Sequence, residues 1–212
     1  LAADDPRDAF VSNQHSSLDA LPKGACVGTA SLRRQAQLGL LRPDLRIETL
    51  RGNVNTRLSK LDAGDFDAIL LACAGLRRLG FDARIREALD PKQFIPACAQ
   101  GVIGIECRQG DAETLARLAP LHNDAAALRL AAERAFNARL GGACQVPVAG
   151  HAVISGDRLR LSGLVAAPDG SRAVRDELEA PIANAAECGE QLAESLLAAG
   201  ARGILNALGI DP

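Results

Sequence analysis

The chain has 212 residues, 48% of them hydrophobic, 24% charged and 2% aromatic, with a net charge of −2. That balance belongs to a globular protein, not a disordered one, long enough to bury roughly 70% of its unfolded surface in one large domain or two small ones. No run approaches the ~18 apolar residues of a membrane span, no basic-then-apolar leader opens the sequence, and a pI near 6.0 carries no overall nucleic-acid signature.

From Lys23 to Leu79 strand-like and helix-like stretches alternate three times. "ACVGTA" reads as a strand and "SLRRQAQLGLL" as a helix with Ser31 as N-cap. "LRIETL" is the next strand, and "NVNTRLSKLDAG" the next helix, closed by Gly64. "FDAILLACA" is apolar almost throughout, as in a strand covered on both faces, and "AGLRRLG" follows as helix. This alternation predicts βαβ units on a parallel sheet, an α/β domain resembling periplasmic binding proteins, over residues 1–95.

In such sheets ligands bind beyond the carboxyl ends of the strands, where helix N-termini expose unpaired N–H groups. Past the first strand come Thr29, Ser31, Arg33 and Arg34. Past the second come Arg51, Gly52, Asn53 and Arg57, and past the third Arg77 and Arg78. Only Lys23, Lys60 and Lys92 are lysines among the 24 basic residues, so the rest are arginine. A composition rich in Ala, Arg, Gly and Leu accounts for many of them. Arginine after all three strands fits instead a ligand with several carboxylates or phosphates, gripped by forked hydrogen bonds.

"DPKQFIPACAQG", with Pro91 and Pro96, reads as a linker. "VIGIECR" is expected as a strand and "DAETLARLAP" as a helix, and residues 96–121 form a connecting piece. "NDAAALRLAAERAFNARL" is an amphipathic helix capped by Asn123 or Asp124. "VPVAGHAVIS", "RLRLSGLVAA" and "RAVRDELEA", separated by "GD" and "PDGS" turns, predict a three-stranded antiparallel sheet. "ANAAECGEQLAESLLAAGARGILNAL" is read as helix, completing an α+β domain over 122–212.

The six cysteines, Cys26, Cys73, Cys98, Cys107, Cys144 and Cys188, are scattered, with no CxxC pair, and only three histidines are present. Reduced thiols in a cytoplasmic protein are expected, and no metal site. Cys144 stands apart, on the glycine-rich turn "RLGGACQVPVAGH" between a helix and a strand, where a thiol is reachable. A free cysteine is more often a small inert hydrophobe, and the residues alone leave both readings open.

"DPRDAFVS", "GTASLRRQAQL", "LRGNVNTRLSKL", "ILLACAGLRRL", "GIECR", "AERAFNARLGGACQVPVAG" and "APDGS" resemble, in family order over essentially all 212 residues, the porphobilinogen deaminase (hydroxymethylbilane synthase) family. The resemblance covers the second and third domains of a three-domain enzyme and the returning part of the first. It implies a monomeric, cytoplasmic transferase of haem biosynthesis, whose partner is the small molecule porphobilinogen, with no nucleic acid or membrane. It implies a dipyrromethane cofactor held by a thioether on Cys144. Its carboxylates would be bound by Arg33, Arg34 and Arg57 with help from Thr29 and Ser31. Substrate carboxylates would go to Arg51 and Arg78, while Arg77 would be solvated and the other five cysteines would only pack. Each cycle joins one porphobilinogen to the tethered chain with loss of ammonia, and after four cycles the linear tetrapyrrole is hydrolysed from the cofactor. A covalent tether removes the entropic cost of rebinding the primer.

Two departures carry expectations of their own. The family's catalytic aspartate lies in a first-domain "KD" motif that these residues do not match, so no catalytic residue is assigned here, and Asp4, Asp5 and Asp8 are in the wrong motif for that role. With no methionine and Leu1 in first place, the sequence is not expected to be a complete translation product, and the resemblance implies that it lacks most of the first domain and, with the acid–base absent, is inactive alone. "ACAQG" stands where "AVGQG" is commoner, and Ala143 where glycine is usual. The competing reading is a non-catalytic module that binds a dicarboxylate reversibly, with Cys144 a bystander.

Overall fold

The run "DAFV", just past Pro6, is buried at all its positions and forms β1 (Asp8–Val11). The computed structural model describes residues 1–142 and 146–212; Ala143, Cys144 and Gln145, and with them the expected cofactor thiol, lie outside the described residues. After β1 come β2 (Cys26–Gly28), α1 (Leu32–Leu41), β3 (Arg46–Glu48), α2 (Val54–Asp62), β4 (Ala68–Ala72), α3 (Cys73–Arg78) and the short β5 (Glu87–Ala88). Ser31 caps α1 by accepting from the Arg34 N–H at 3.4 Å, and Asn53 caps α2 by accepting from Thr56 N–H at 2.9 Å.

The strands form one sheet in the order β3-β2-β4-β1-β5. β2 runs parallel to β3 and β4, as the alternation predicted, but β1 is antiparallel to both β4 and β5, so the sheet is mixed. Both faces are covered. Phe10, Val27 and Leu70 pack with Leu38 of α1 and Phe94, while Ala9, Val11 and Ile69 pack with Leu58 and Leu61 of α2 and Leu76 of α3.

α4 (Ala112–Leu118) follows in the connecting piece, and the second unit contains α5 (Asp124–Arg139), β6 (Val148–Ser155), β7 (Arg158–Ala166), β8 (Ala173–Pro181), α6 (Ala185–Leu196) and α7 (Arg202–Asn206). The three strands pair antiparallel in chain order, as expected, and α5 and α6 pack on one face around Phe136, Leu159, Leu161 and Leu192. A Cβ at Gly163 would come within 2.6 Å of the Phe136 ring, so the missing side chain is what seats that phenyl group. The final helix is not continuous: Gly200, at φ 112°, breaks it between α6 and α7.

"VIGIECR" does not form the expected strand. A strand is held by ladder bonds to a neighbour, and among the described residues none pairs with this stretch; the Val102 N–H bonds back to Ala99 O instead. Its apolar side chains face outward, Ile103 at 44% and Ile105 at 49% exposure.

The two units meet through residues 95–100 and α1. Ala36 of α1 and Ile95 share a buried cluster with Ala149, Leu164 and Ala166 of the second sheet. Gly39 lies against Gly170 at the β7–β8 turn, where a Cβ on either would collide with backbone. Glu133 of α5, buried to 2% exposure, accepts from Ala99 N–H at 2.6 Å and from Ala152 N–H at 2.8 Å.

Candidate functional site

Because β1 is antiparallel to β4 and Asp8 lies opposite Ala72, Asp8 sits at the carboxyl edge of the parallel strands, beside the start of α1. Thr29 is fully buried and shapes the turn there: its N–H donates to Glu48 O at 2.9 Å, and its hydroxyl accepts from Ser31 N–H at 3.2 Å. Thr29 and Ser31 thus set the direction in which α1 leaves the sheet, and so where Arg33 and Arg34 point.

Both arginines turn inward. Arg33 donates through Nη1 to Asp8 Oδ2 at 2.7 Å and through Nη2 to Asp8 Oδ1 at 3.0 Å, and Nη1 also reaches Ile95 O at 2.8 Å. Arg34 donates through Nε to Asp8 Oδ1 at 2.8 Å and through Nη1 to Leu70 O at 3.1 Å, and its Nη2 is ion-paired with Oδ1 at 2.7 Å. Phe94 lies under the Arg33 guanidinium, 5.9 Å from it. Asp8 is wholly buried; burial pushes its carboxyl up, but Arg34 and Arg33 outweigh that and hold it below the usual carboxylate range. Burial pulls Arg34 down against the attraction of Asp8, and Arg57 is close enough to pull it down further. Arg33 and Arg34 therefore share one carboxylate, which leaves a surplus of positive charge between them.

Arg57, half-buried, folds back so that Nε donates to Gly52 O at 2.7 Å. Arg51 is exposed on the same loop. Arg78, at the end of α3, donates to Asp4 at 3.1 Å and is not drawn into the Arg33–Arg34 cluster. Arg77 is exposed and donates to Asp5 at 2.7 Å. The Arg7 hydrogen bond is the main reason that the Asp5 carboxyl is held down to about 2, with Arg77 adding to it.

Sequence reasoning missed three members of this cluster. Asp8, whose motif does not suit acid–base catalysis, is the shared partner of Arg33 and Arg34. Gln100 donates to Asp8 Oδ1 at 3.3 Å and to Pro6 O at 2.5 Å. Gln37, one turn after Arg33, grips the Ile95 backbone both ways, accepting from its N–H at 2.7 Å and donating to its C=O at 3.0 Å. A signal existed for Gln37, since residues four apart share a helix face. None existed for Asp8, whose partners lie some 25 residues away in sequence.

Cys26, Cys73 and Cys188 are buried, as expected of packing residues. Burial pushes the Cys73 thiol to about 11 and the Cys98 thiol to about 12, so neither is nucleophilic near neutrality. Cys107 does not pack as expected: it is exposed, beside Ile103 and Ile105, because its segment lacks a strand partner. Among the described residues no cluster of side chains could hold a metal ion, and no helix is long and apolar enough to cross a membrane.

In "ACAQG", Ala99 has φ 64°, the only described residue other than glycine in the left-handed region. Glycine adopts that conformation freely and alanine does not. Of the two residues that depart from the commoner "AVGQG", Cys98 and Ala99, the one in place of glycine is thus the one under backbone strain.

Two family models match the chain. Residues 1–116 match the porphobilinogen deaminase dipyrromethane cofactor-binding domain, and residues 127–198 match the porphobilinogen deaminase C-terminal domain. The first match spans the mixed sheet with its arginine cluster, the second the three-stranded sheet with α5 and α6. With more than half of its length in the first match and most of the remainder in the second, the chain belongs to the porphobilinogen deaminase family, whose members are transferases of porphyrin biosynthesis.

Proposed function

We propose that this chain holds a dipyrromethane primer by a thioether on Cys144 and that its arginine edge binds the carboxylates of primer and incoming porphobilinogen during assembly of hydroxymethylbilane. The carrying observation is the charge surplus of Arg33 and Arg34 on the single carboxylate of Asp8, inside the match to the cofactor-binding domain. The residues present fit such a group. Each guanidinium has five N–H donors, of which Asp8 and the Ile95 and Leu70 carbonyls take only part. Each charge-assisted bond to a ligand carboxylate contributes about 1.5–3 kcal/mol.

When bound, the primer supplies the pyrrole carbon on which the product grows. The chain's own part is to bind and orient. Arg33, Arg34 and Arg57, with Thr29 and Ser31 fixing the α1 turn, receive primer carboxylates. Arg51 and Arg78, exposed on the neighbouring loop and helix end, receive those of porphobilinogen. Arginine keeps its charge throughout, so it holds carboxylates without exchanging the protons being moved.

Proton transfer is a different matter. The carboxylate inside the cluster, Asp8, is held ionised and is bonded on both oxygens, so it cannot serve as a proton shuttle. Asp8 thus binds and orients, and with no catalytic residue assigned in this chain we expect it to bind without turnover, porphobilinogen consumption staying at background.

Treatment with an acidified aromatic aldehyde that colours dipyrroles tests this reading. Colour is expected from the chain isolated from porphobilinogen-producing cells and none from Cys144→Ala. No colour from either would favour a reversible dicarboxylate-binding module instead.

A further inference from the structure

We propose that Asp8 is a positioning residue: its carboxylate aims Arg33 and Arg34 at the carboxyl edge and makes their double positive charge tolerable there, and it does not compete with the ligand. The proposal rests on the reading that this edge binds carboxylates. Asp8 has no solvent exposure and opens β1 opposite the last residue of β4. Both its oxygens are engaged by the two guanidiniums, Arg33 spanning both and Arg34 doubling on Oδ1, and Gln100 adds a further donor to Oδ1. Each planar guanidinium is fixed from a second direction by a backbone carbonyl, Ile95 for Arg33 and Leu70 for Arg34. Two bonded directions leave a planar fork no freedom to swing, so the N–H groups not aimed at Asp8 keep a set orientation.

The charges lead to the same conclusion. Two arginines this deeply buried are strongly disfavoured without a counter-charge. One carboxylate offsets half of their charge and leaves one positive charge, to which Arg57 adds. A second acid would cancel the surplus, and none would let the arginines turn away to solvent.

Positioning and competition predict opposite signs, which makes the test sharp. Porphobilinogen, itself a dicarboxylate, is titrated against the full 212-residue chain carrying Asp8→Asn or Asp8→Glu. Removing a competitor would tighten binding in Asp8→Asn. Loss of positioning weakens it, by about tenfold on the usual scale for one oriented charge-assisted contact. Asp8→Glu keeps the charge and moves the fork by one methylene, so it also weakens binding if position matters and leaves it unchanged if only net charge does. That arm decides the matter should Asp8→Asn fail to fold.

A second readout needs no ligand. The Arg34 Nε–H donates to Asp8 at 2.8 Å in a buried setting and should exchange slowly with solvent by NMR. Fast exchange in Asp8→Glu, with the backbone amides of β1 and β4 still protected, supports positioning; equally slow exchange in both chains overturns it. If the unaltered chain binds no porphobilinogen, the reading of the edge as a carboxylate site fails, and this exchange measurement alone judges the role of Asp8.

Discussion

Ala99 concentrates in one residue the conflict between local preference and tertiary demand. Its left-handed backbone lets its N–H reach Glu133 Oε2 at 2.6 Å while the chain turns toward Gln100 and Asp8. For alanine that conformation costs about 1–2 kcal/mol, and glycine gives back about 0.5–1 kcal/mol of this through unfolded-state entropy. Ala99→Gly is therefore expected to stabilise the chain by about 0.5–1 kcal/mol in denaturant titration; a loss of stability would mean that the turn is not strained. The acidic side chains at the edge make a second residue-level prediction. Asp5 is ordinarily near 3.8 and is held at about 2 when folded, chiefly by Arg7. A depressed folded pKa adds stability above the unfolded value and loses it as pH falls through the folded one. The chain should lose stability as pH drops from 3.8 toward about 2, and Asp5→Asn should flatten that loss. An equally steep acid limb in the variant would assign the loss to other groups.

At the scale of elements, local punctuation carried most of the fold. Ser31 caps α1 as its sequence position predicts, Asn53 caps α2, and the uninterrupted apolar run of β4 is the signature of a strand covered on both faces. The failures have physical causes. β1 lies outside the alternating stretch, and its place beside β4 depends on long-range pairing that no local pattern encodes. "VIGIEC" has the residues of a strand, but without a partner those residues remain exposed coil. The final helix breaks because Gly200 takes a conformation closed to other residues, whereas Gly189 stays helical and serves packing instead. A Cβ at Gly189 would press into the Ala132 carbonyl and lie 2.8 Å from Phe136 N, so α5 and α6 cross with no room between them. Gly189→Ala is expected to destabilise by about 2 kcal/mol, the usual cost of overpacking. A neutral effect in thermal unfolding would mean that the helices can part.

For the molecule as a whole, the sequence disclosed the chemistry better than the geometry. Arginine after each parallel strand was legible, and it fits a ligand with several carboxylates or phosphates. What could not be read was that Arg33 and Arg34 turn toward one buried acid while Arg78 pairs outward with Asp4, because those partners are set by the antiparallel return of β1. Nor could the seam between units be foreseen. Gln37 and Arg33 grip Ile95, Ala99 and Ala152 share Glu133, and Gly150 N–H donates to Pro96 O at 3.1 Å. Residues 95–100 are thereby bonded both to the arginine cluster and to β6, the strand that follows Cys144 in sequence. The measurement that bears most directly on the account is the intact mass of the purified chain, with the modified residue located by peptide mapping. A mass gain matching a dipyrromethane, confined to the peptide containing Cys144, is the predicted result. An unmodified Cys144, or a dipyrromethane on any other cysteine, would contradict it.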